Sequence, residues 1–139
     1  MIITEASRQP EMLAWLCARA GGDPAKVNGM CIGNELNGEL VAVTGYDCFT
    51  GDTVRIHIAG EGKGNWFSKD FCWYCFYYAF EQLKVKKLIG HVASWQTRAL
   101  RFDKHLGFME EEVIEGGAPE GDLHILTMTK DQCRFLRRK

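Results

Sequence analysis

Neither sign of charge dominates this chain: 17 Lys and Arg against 18 Asp and Glu leave a net charge of -1. Without a basic field nothing global favours nucleic acid, and without an acidic run no disordered tail is expected. Long apolar stretches are missing too. The longest, around Phe71 to Phe80, is too short and too flanked by charge to span a bilayer. The first residues lack the basic and then apolar pattern of a signal peptide. The expectation is a soluble cytoplasmic protein with no membrane partner. There is no internal repeat or low-complexity linker, and 139 residues suffice for one domain, residues 1–139, with a real core but not for two.

Metal and redox signatures are equally thin. Six cysteines stand among apolar neighbours, which without a signal peptide reads as reduced thiols rather than a disulfide framework. Cys72 and Cys75 form one C-x-x-C, but it lies inside a helical pattern and not at a helix N-terminus, where the dipole lowers a thiol pKa. No second C-x-x-C and no H-x-x-x-H supplies the remaining zinc ligands, so no metal site is expected and the pair reads as small buried hydrophobes.

What is present is a clear succession of periodicities. Met1 to Thr4 is a short apolar start, and from Pro10 the residues Met12, Leu13, Leu16, Cys17 and Ala20 recur at helical spacing until Gly21 and Gly22. The segments GMCIGNEL and ELVAVTGYDCF flank Asn37-Gly38, the signature of a hairpin with a tight primed turn. After Thr50-Gly51-Asp52 a third strand, TVRIHIA, completes an antiparallel meander from Met30 to Ala59. Alternation in this strand sends Val54, Ile56 and Ile58 to a dry face and Thr53, Arg55, His57 and Ala59 to a polar one.

The segment GEGKGNWF then leads into a long helix from about Ser68 to Leu83. Its stripe of Phe71, Cys72, Cys75, Phe76, Ala79, Phe80 and Leu83 faces a core. The far side, with Trp73, Tyr74, Tyr77 and Tyr78, is aromatic as well; the helix is either sandwiched or lends a surface to a second copy of the chain, a homodimer. KKLIGHVA reads as the next strand, and Ser94 or Thr97 is placed to cap the helix that follows. On that helix Ala99, Phe102 and Leu106 share a face, and Leu106-Gly107-Phe108 has the form of a glycine-capped end. MEEEVI and DLHILTMT close the fold around the loop GGAPEG, and CRFLRRK trails off. The sum is an α+β domain with a mixed sheet.

A strand running through glycines into a helix makes an anion site, because backbone N-H groups and the helix dipole converge there. Gly60, Gly62 and Gly64 allow close approach, and Lys63 adds a charge. The segment is not a P-loop, for no G-K-[ST] ends it. Nor is it G-x-G-x-x-G in a parallel unit, since hairpins precede it.

Gln96, Arg98, Ala99, Leu100, Arg101, Leu106, Gly107 and Phe108 resemble, in register, the second motif of the GCN5-related N-acetyltransferases: N-x-x-A and a terminal L-G-F. The glycine loop falls at the matching distance upstream, and the element order agrees from about Met1 to Leu126. The chain looks most like small bacteriophage-encoded members, which share a strand ending H-I-A-G (His57 to Gly60), a tryptophan before the helix (Trp66) and L-R-F-D (Leu100 to Asp103). The resemblance implies a mixed, mostly antiparallel sheet with helices on both faces, whose central strand pair splays into a cleft for acetyl-CoA. It implies direct transfer of the acetyl group to a primary amine, on a small molecule or a protein, in a ternary complex. Ile58 and Ala59 would offer backbone groups to the pantetheine arm, Gly62, Lys63, Gly64, Asn65 and Trp66 would hold the pyrophosphate, and Gly60 would be a further cofactor contact. Gln96, Arg98, Ala99 and Phe102 would complete the cofactor contacts, with Gln96 in the place of an asparagine and Trp66 and Phe102 either lining the cofactor or belonging to the core. Acceptor contacts would come from Ala20 to Asn28 and from Tyr46 to Asp52.

Two residues are the candidate catalytic groups. His57, on the polar face of the central strand, is the first choice for a base, with Glu61 and His124 behind it. Asp103 stands where the family often has a tyrosine that protonates the leaving thiolate. A free aspartate is ionised at neutral pH and is a poor acid. Three readings stay open: an exposed residue paired with a basic neighbour, an amine-binding group, or a buried acid with a raised pKa. The departure also keeps a second class in play, a catalytically weak or inactive binding module acting on a partner protein.

Overall fold

The computed structural model describes residues 1–22, 29–61 and 67–136. The expectations placed on Gly62 to Trp66 and on most of the 20–28 segment therefore fall outside the described residues. Among the described residues there are seven strands: β1 Ile2–Ile3, β2 Gly29–Leu36, β3 Glu39–Asp47, β4 Thr53–Gly60, β5 Lys87–Ala93, β6 Met109–Ala118 and β7 Gly121–Thr129. Three α-helices accompany them, α1 Gln9–Ala20, α2 Lys69–Tyr77 and α3 Thr97–Leu106. All strands join one sheet in the order β1-β2-β3-β4-β5-β7-β6, antiparallel except for β4 beside β5. No helix among the described residues is long and apolar enough to cross a membrane.

The β2–β3 turn has positive φ at both central residues, 53° at Asn37 and 82° at Gly38, as the primed turn requires. Strand alternation then sorts the side chains. Met12 and Leu16 of α1 pack with Ile3, Cys31 and Val43 on one face. On the other, Phe71, Cys75 and Phe76 of α2 and Leu106 of α3 pack with Ile32, Val54, Ile56, Leu88, Leu126 and Met128. Helices therefore cover both faces, and β4 turns Val54 and Ile56 inward, 1% and 5% exposed.

The long helix ends differently from the expected single element. It is α-helical to Tyr77 and then makes a wider π turn over Tyr78–Gln82, where Leu83 N donates to Tyr78 O at 2.8 Å. Its buried residues explain the change: Phe71, Cys75 and Ala79 are spaced by four, as are Cys72, Phe76 and Phe80. At 3.6 residues per turn that stripe drifts off the core, and one wide turn brings it back. Ser68 caps α2, its Oγ accepting from Phe71 N at 3.2 Å. On the aromatic far side Tyr74, Tyr77 and Tyr78 are half-buried and Trp73 is exposed, stacked on Tyr77 at 4.6 Å between ring centres.

Three further expectations are corrected. Neither Ser94 nor Thr97 caps α3; its N-cap is Gln96, without a side-chain capping bond. Ser94 Oγ instead accepts from Asp122 N at 3.1 Å, which ties the start of the helix to the β6–β7 hairpin. The loop GGAPEG is mostly strand: β6 runs to Ala118, and only Pro119 and Glu120 (φ 59°) turn the chain. The C-terminal segment packs back through two single 3-10 turns. Cys133 is fully buried and Phe135 stacks on Phe76 at 5.4 Å.

Candidate active site

The parallel pair β4–β5 keeps register at three positions only, Thr53 with Lys87, Val54 with Leu88 and Arg55 with Ile89. Beyond Arg55 the strands part, while β5 stays paired with β7 through Ala93. Between the separated ends lies a cleft of about 660 Å³, open to both faces of the sheet. Backbone groups of β4 after Arg55 face this gap and are available to an extended ligand, which would continue the interrupted ladder.

Most of the residues singled out from the sequence meet here. His57, Ile58, Ala59 and Gly60 form the β4 wall; Gln96, Arg98, Ala99, Phe102 and Asp103 come from the start and inner face of α3. Gly90, His91 and Val92 of β5 lie between them, and Arg19 and Ala20 close the cleft from α1. Glu61 is at the rim, held by Arg19 at 2.6 Å. His124 is elsewhere, its Nδ1 2.7 Å from Glu110 Oε1. Gln96 Oε1 accepts from Ala93 N at 2.9 Å, so its oxygen fastens the β5–α3 corner. Phe102 packs edge-on against Phe67 at 5.4 Å, lining the cleft and belonging to the core at once.

Asp103 is the half-buried acid of this site. It points past Gly90, where an added Cβ would lie 4.0 Å from Oδ2. Burial pushes its carboxyl up to about 7. Among the described residues it has no ion pair. Lys104, its neighbour, pairs with Glu110 at 3.6 Å instead. The reading as an exposed helix residue with a basic partner is thereby overturned, and at neutral pH a substantial share of the group carries a proton.

His57 occupies the opposite face of β4. Its Nε2 lies 3.0 Å from Asp47 Oδ1, and Asp47 is gripped by Arg55 through Nε at 2.8 Å and Nη2 at 2.7 Å. His91 sits beside them, its pKa lowered by burial and then by Arg55 and His57. Asp47 and His91 were not singled out from the sequence. The signal for Asp47 is hairpin register, since counting outward from the Thr50-Gly51-Asp52 turn sets it directly opposite Arg55.

A second hollow of about 630 Å³ adjoins the cleft and shares Arg98 and Phe102 with it. Lys69 at the start of α2, Arg98, Arg101 and His105 on α3, and Arg134 near the C-terminus line it, with Phe67 and Phe135 beneath. This is a basic groove beside a helix N-terminus, suited to phosphate groups. Its signal in the sequence is the spacing 98, 101, 105, one face of a helix.

The splayed mixed sheet with helices on both faces is the fold of the GCN5-related N-acetyltransferases. A chimera of the spermidine N-acetyltransferase SpeG from Vibrio cholerae and hSSAT superposes on 99% of this chain and 98% of its own, with TM-score 0.75 at 14% identity. A SpeG point mutant from Vibrio cholerae matches 79% of this chain and 69% of its own, with TM-score 0.64 at 21% identity. A GNAT-family acetyltransferase from Bacillus anthracis matches 73% and 66%, with TM-score 0.61 at 15% identity. The match thus spans about two thirds of the length of these last two proteins. No family model matches the sequence, and no curated protein does.

Proposed function

We propose that the protein is an acetyl-CoA-dependent N-acetyltransferase that moves an acetyl group to a primary amine by direct attack in a ternary complex. The observation that carries this reading is the loss of β4–β5 pairing after Arg55 and Ile89, which opens a cleft between a basic groove on one side and a histidine–carboxylate cluster on the other. The groove supplies Arg98, Arg101 and Lys69 for the phosphates of the donor, and Ile58, Ala59 and Gly60 offer backbone groups to its amide-bearing arm. The six free thiols fit a reducing compartment such as the cytoplasm.

Orientation in the cleft supplies the larger part of the rate, together with a β4 N-H directed at the developing oxyanion. His57 takes the proton from the attacking amine as its nitrogen bonds to the thioester carbon. Asp103, protonated, gives a proton to the sulfur as the C-S bond breaks. The two groups line the same cleft from different elements, so acid and base need not compete for one proton.

The test is incubation with acetyl-CoA and a panel of amines. Because Cys48 is an exposed free thiol that would add to the signal of a thiol-detecting assay, product is read by mass as N-acetyl amine. Turnover with at least one primary amine is expected. A folded chain that acetylates none of them, and captures a protein partner at equal stoichiometry, would instead be the binding module.

A further inference from the structure

The β3–β4 register sets Asp47 across from Arg55 and Gly45 across from His57, so Asp47 and His57 are diagonal neighbours on one face. The Asp47 side chain is 6% exposed, that of His57 29%. Oδ1 of Asp47 accepts from Arg55 Nε and from His57 Nε2, and Oδ2 accepts from Arg55 Nη2. Burial pushes the Asp47 carboxyl up, but the Arg55 hydrogen bonds and His57 outweigh it and hold the group below the usual aspartate value. Asp47 is therefore ionised at neutral pH, and an ionised carboxylate only accepts. The hydrogen of the Asp47–His57 contact must sit on Nε2, which leaves the lone pair of the neutral ring on Nδ1. Nδ1 has no hydrogen-bond partner among the described residues, and the ring lines the cleft.

We propose that Asp47 is the positioning residue for His57, holding the ring in the Nε2-H form so that Nδ1 is the proton acceptor in the cleft, and stabilising the imidazolium that results. This rests on the reading of His57 as the base. The Arg55 fork fixes the plane of the Asp47 carboxylate and so the direction of the bond to His57. When Nδ1 takes the amine proton, the positive ring stays against the negative carboxylate and neither group has to move. Among the described residues, the other charged or titratable groups on this side of the cleft are Arg55, His91 across the splay, and the Arg19–Glu61 pair at the rim.

The experiment has two arms on the full chain. In the first, nitrogen–proton correlation spectra of the imidazole rings assign the tautomer of neutral His57. The Nε2-H form is expected in the wild type and a mixture in Asp47→Asn; the Nδ1-H form in the wild type overturns the proposal without need of any variant. In the second, kcat for acetyl transfer is measured for Asp47→Asn, His57→Gln and the double variant. Asp47→Asn should lower kcat about 10²-fold, with KM for acetyl-CoA little changed, and should add almost nothing once His57 is Gln. An equal loss in both backgrounds marks a merely structural role and overturns the proposal. An Nε2-H ring in a chain with no transferase activity upholds the Asp47 contact and counts against the transferase reading instead.

Discussion

Arg55 and Ile89 form the last pair at which β4 and β5 meet in register. Among the described residues the other strand pairs are antiparallel, and this divergence leaves backbone groups without a ladder partner, each of which costs free energy unless something else satisfies it. An extended ligand with amide groups would do that. In the proposed function, the β4 wall, the α3 wall and the basic groove are parts of one donor site.

Arg98 and Arg101 lie one turn apart on α3 and both face the groove. Charge-assisted hydrogen bonds are worth about 1.5–3 kcal/mol each. Changing either arginine to alanine should therefore weaken acetyl-CoA binding by roughly 10- to 100-fold. The change should leave the melting temperature of the unliganded chain nearly unaltered, since both residues are exposed. Titration calorimetry measures the first effect, and unchanged affinity in both variants would remove the groove from the site.

Asp103→Asn tests the buried acid. The folded chain holds this proton up to about pH 7, whereas an ordinary aspartate has a pKa of 3.8. Between those values the folded state binds more protons than the unfolded one, so this group's contribution to stability is complete below 3.8 and is lost as pH rises through about 7. The melting temperature of the wild type, measured against that of Asp103→Asn, should fall across this window and level off above it. The kcat of the wild type should show a limb that declines above about 7, absent in the variant, whose rate is about 10²-fold lower. A constant difference in melting temperature across this range would mean that Asp103 is ionised throughout.

Gly29 lets β2 lie close to the end of β3. An added Cβ there would collide with the Tyr46 carbonyl oxygen and come within 3.1 Å of Asp47 Cβ. The neighbour is backbone and cannot swing aside, so Gly29→Ala should cost about 1–3 kcal/mol in urea unfolding. Because Gly29 pairs with Asp47, the same shift should disturb His57 and lower kcat. A variant with wild-type stability would show that this corner yields easily.

Cys72 and Cys75 are buried, and burial pushes both thiols up to about 12. Cys75 Sγ donates to Thr44 Oγ1 at 3.4 Å inside the core. A thiol so protonated is a poor nucleophile. Cys75→Ala should reduce stability by about 1–3 kcal/mol and leave acetyl transfer intact. Loss of activity at full stability would point to redox chemistry at the pair.

Local chemistry made much of this fold legible from residues alone. Asn37-Gly38 announced its turn, alternation in β4 sorted Val54 and Ile56 from Arg55 and His57, and Gly107 (φ 121°) ends α3 with Phe108 N bonded to Asp103 O at 3.1 Å. Where side chains chose distant partners, the local signal misled. Ser94 looks like a cap but serves Asp122, 28 residues on. The glycines of GGAPEG suggest a loop, yet β7 pairs with the chain on both sides of Gly116, which sits in a bulge with φ 67°. Asp103 was conspicuous by position, but its raised pKa comes from burial in the folded chain, which no spacing reveals. Asp47 belonged to a strand end and became part of the site only through register with Arg55 and His57.

The central claim is that the gap beyond Arg55 and Ile89 receives acetyl-CoA, and a melting curve of the full chain against acetyl-CoA concentration tests it most directly. A ligand that binds only the folded state adds RT ln(1 + [L]/Kd), about 2.7 kcal/mol at a hundred times Kd. The melting temperature should rise with acetyl-CoA along this logarithmic curve, and the rise should shrink in Arg98→Ala. A well-folded sample whose melting temperature does not move at millimolar acetyl-CoA would contradict the account.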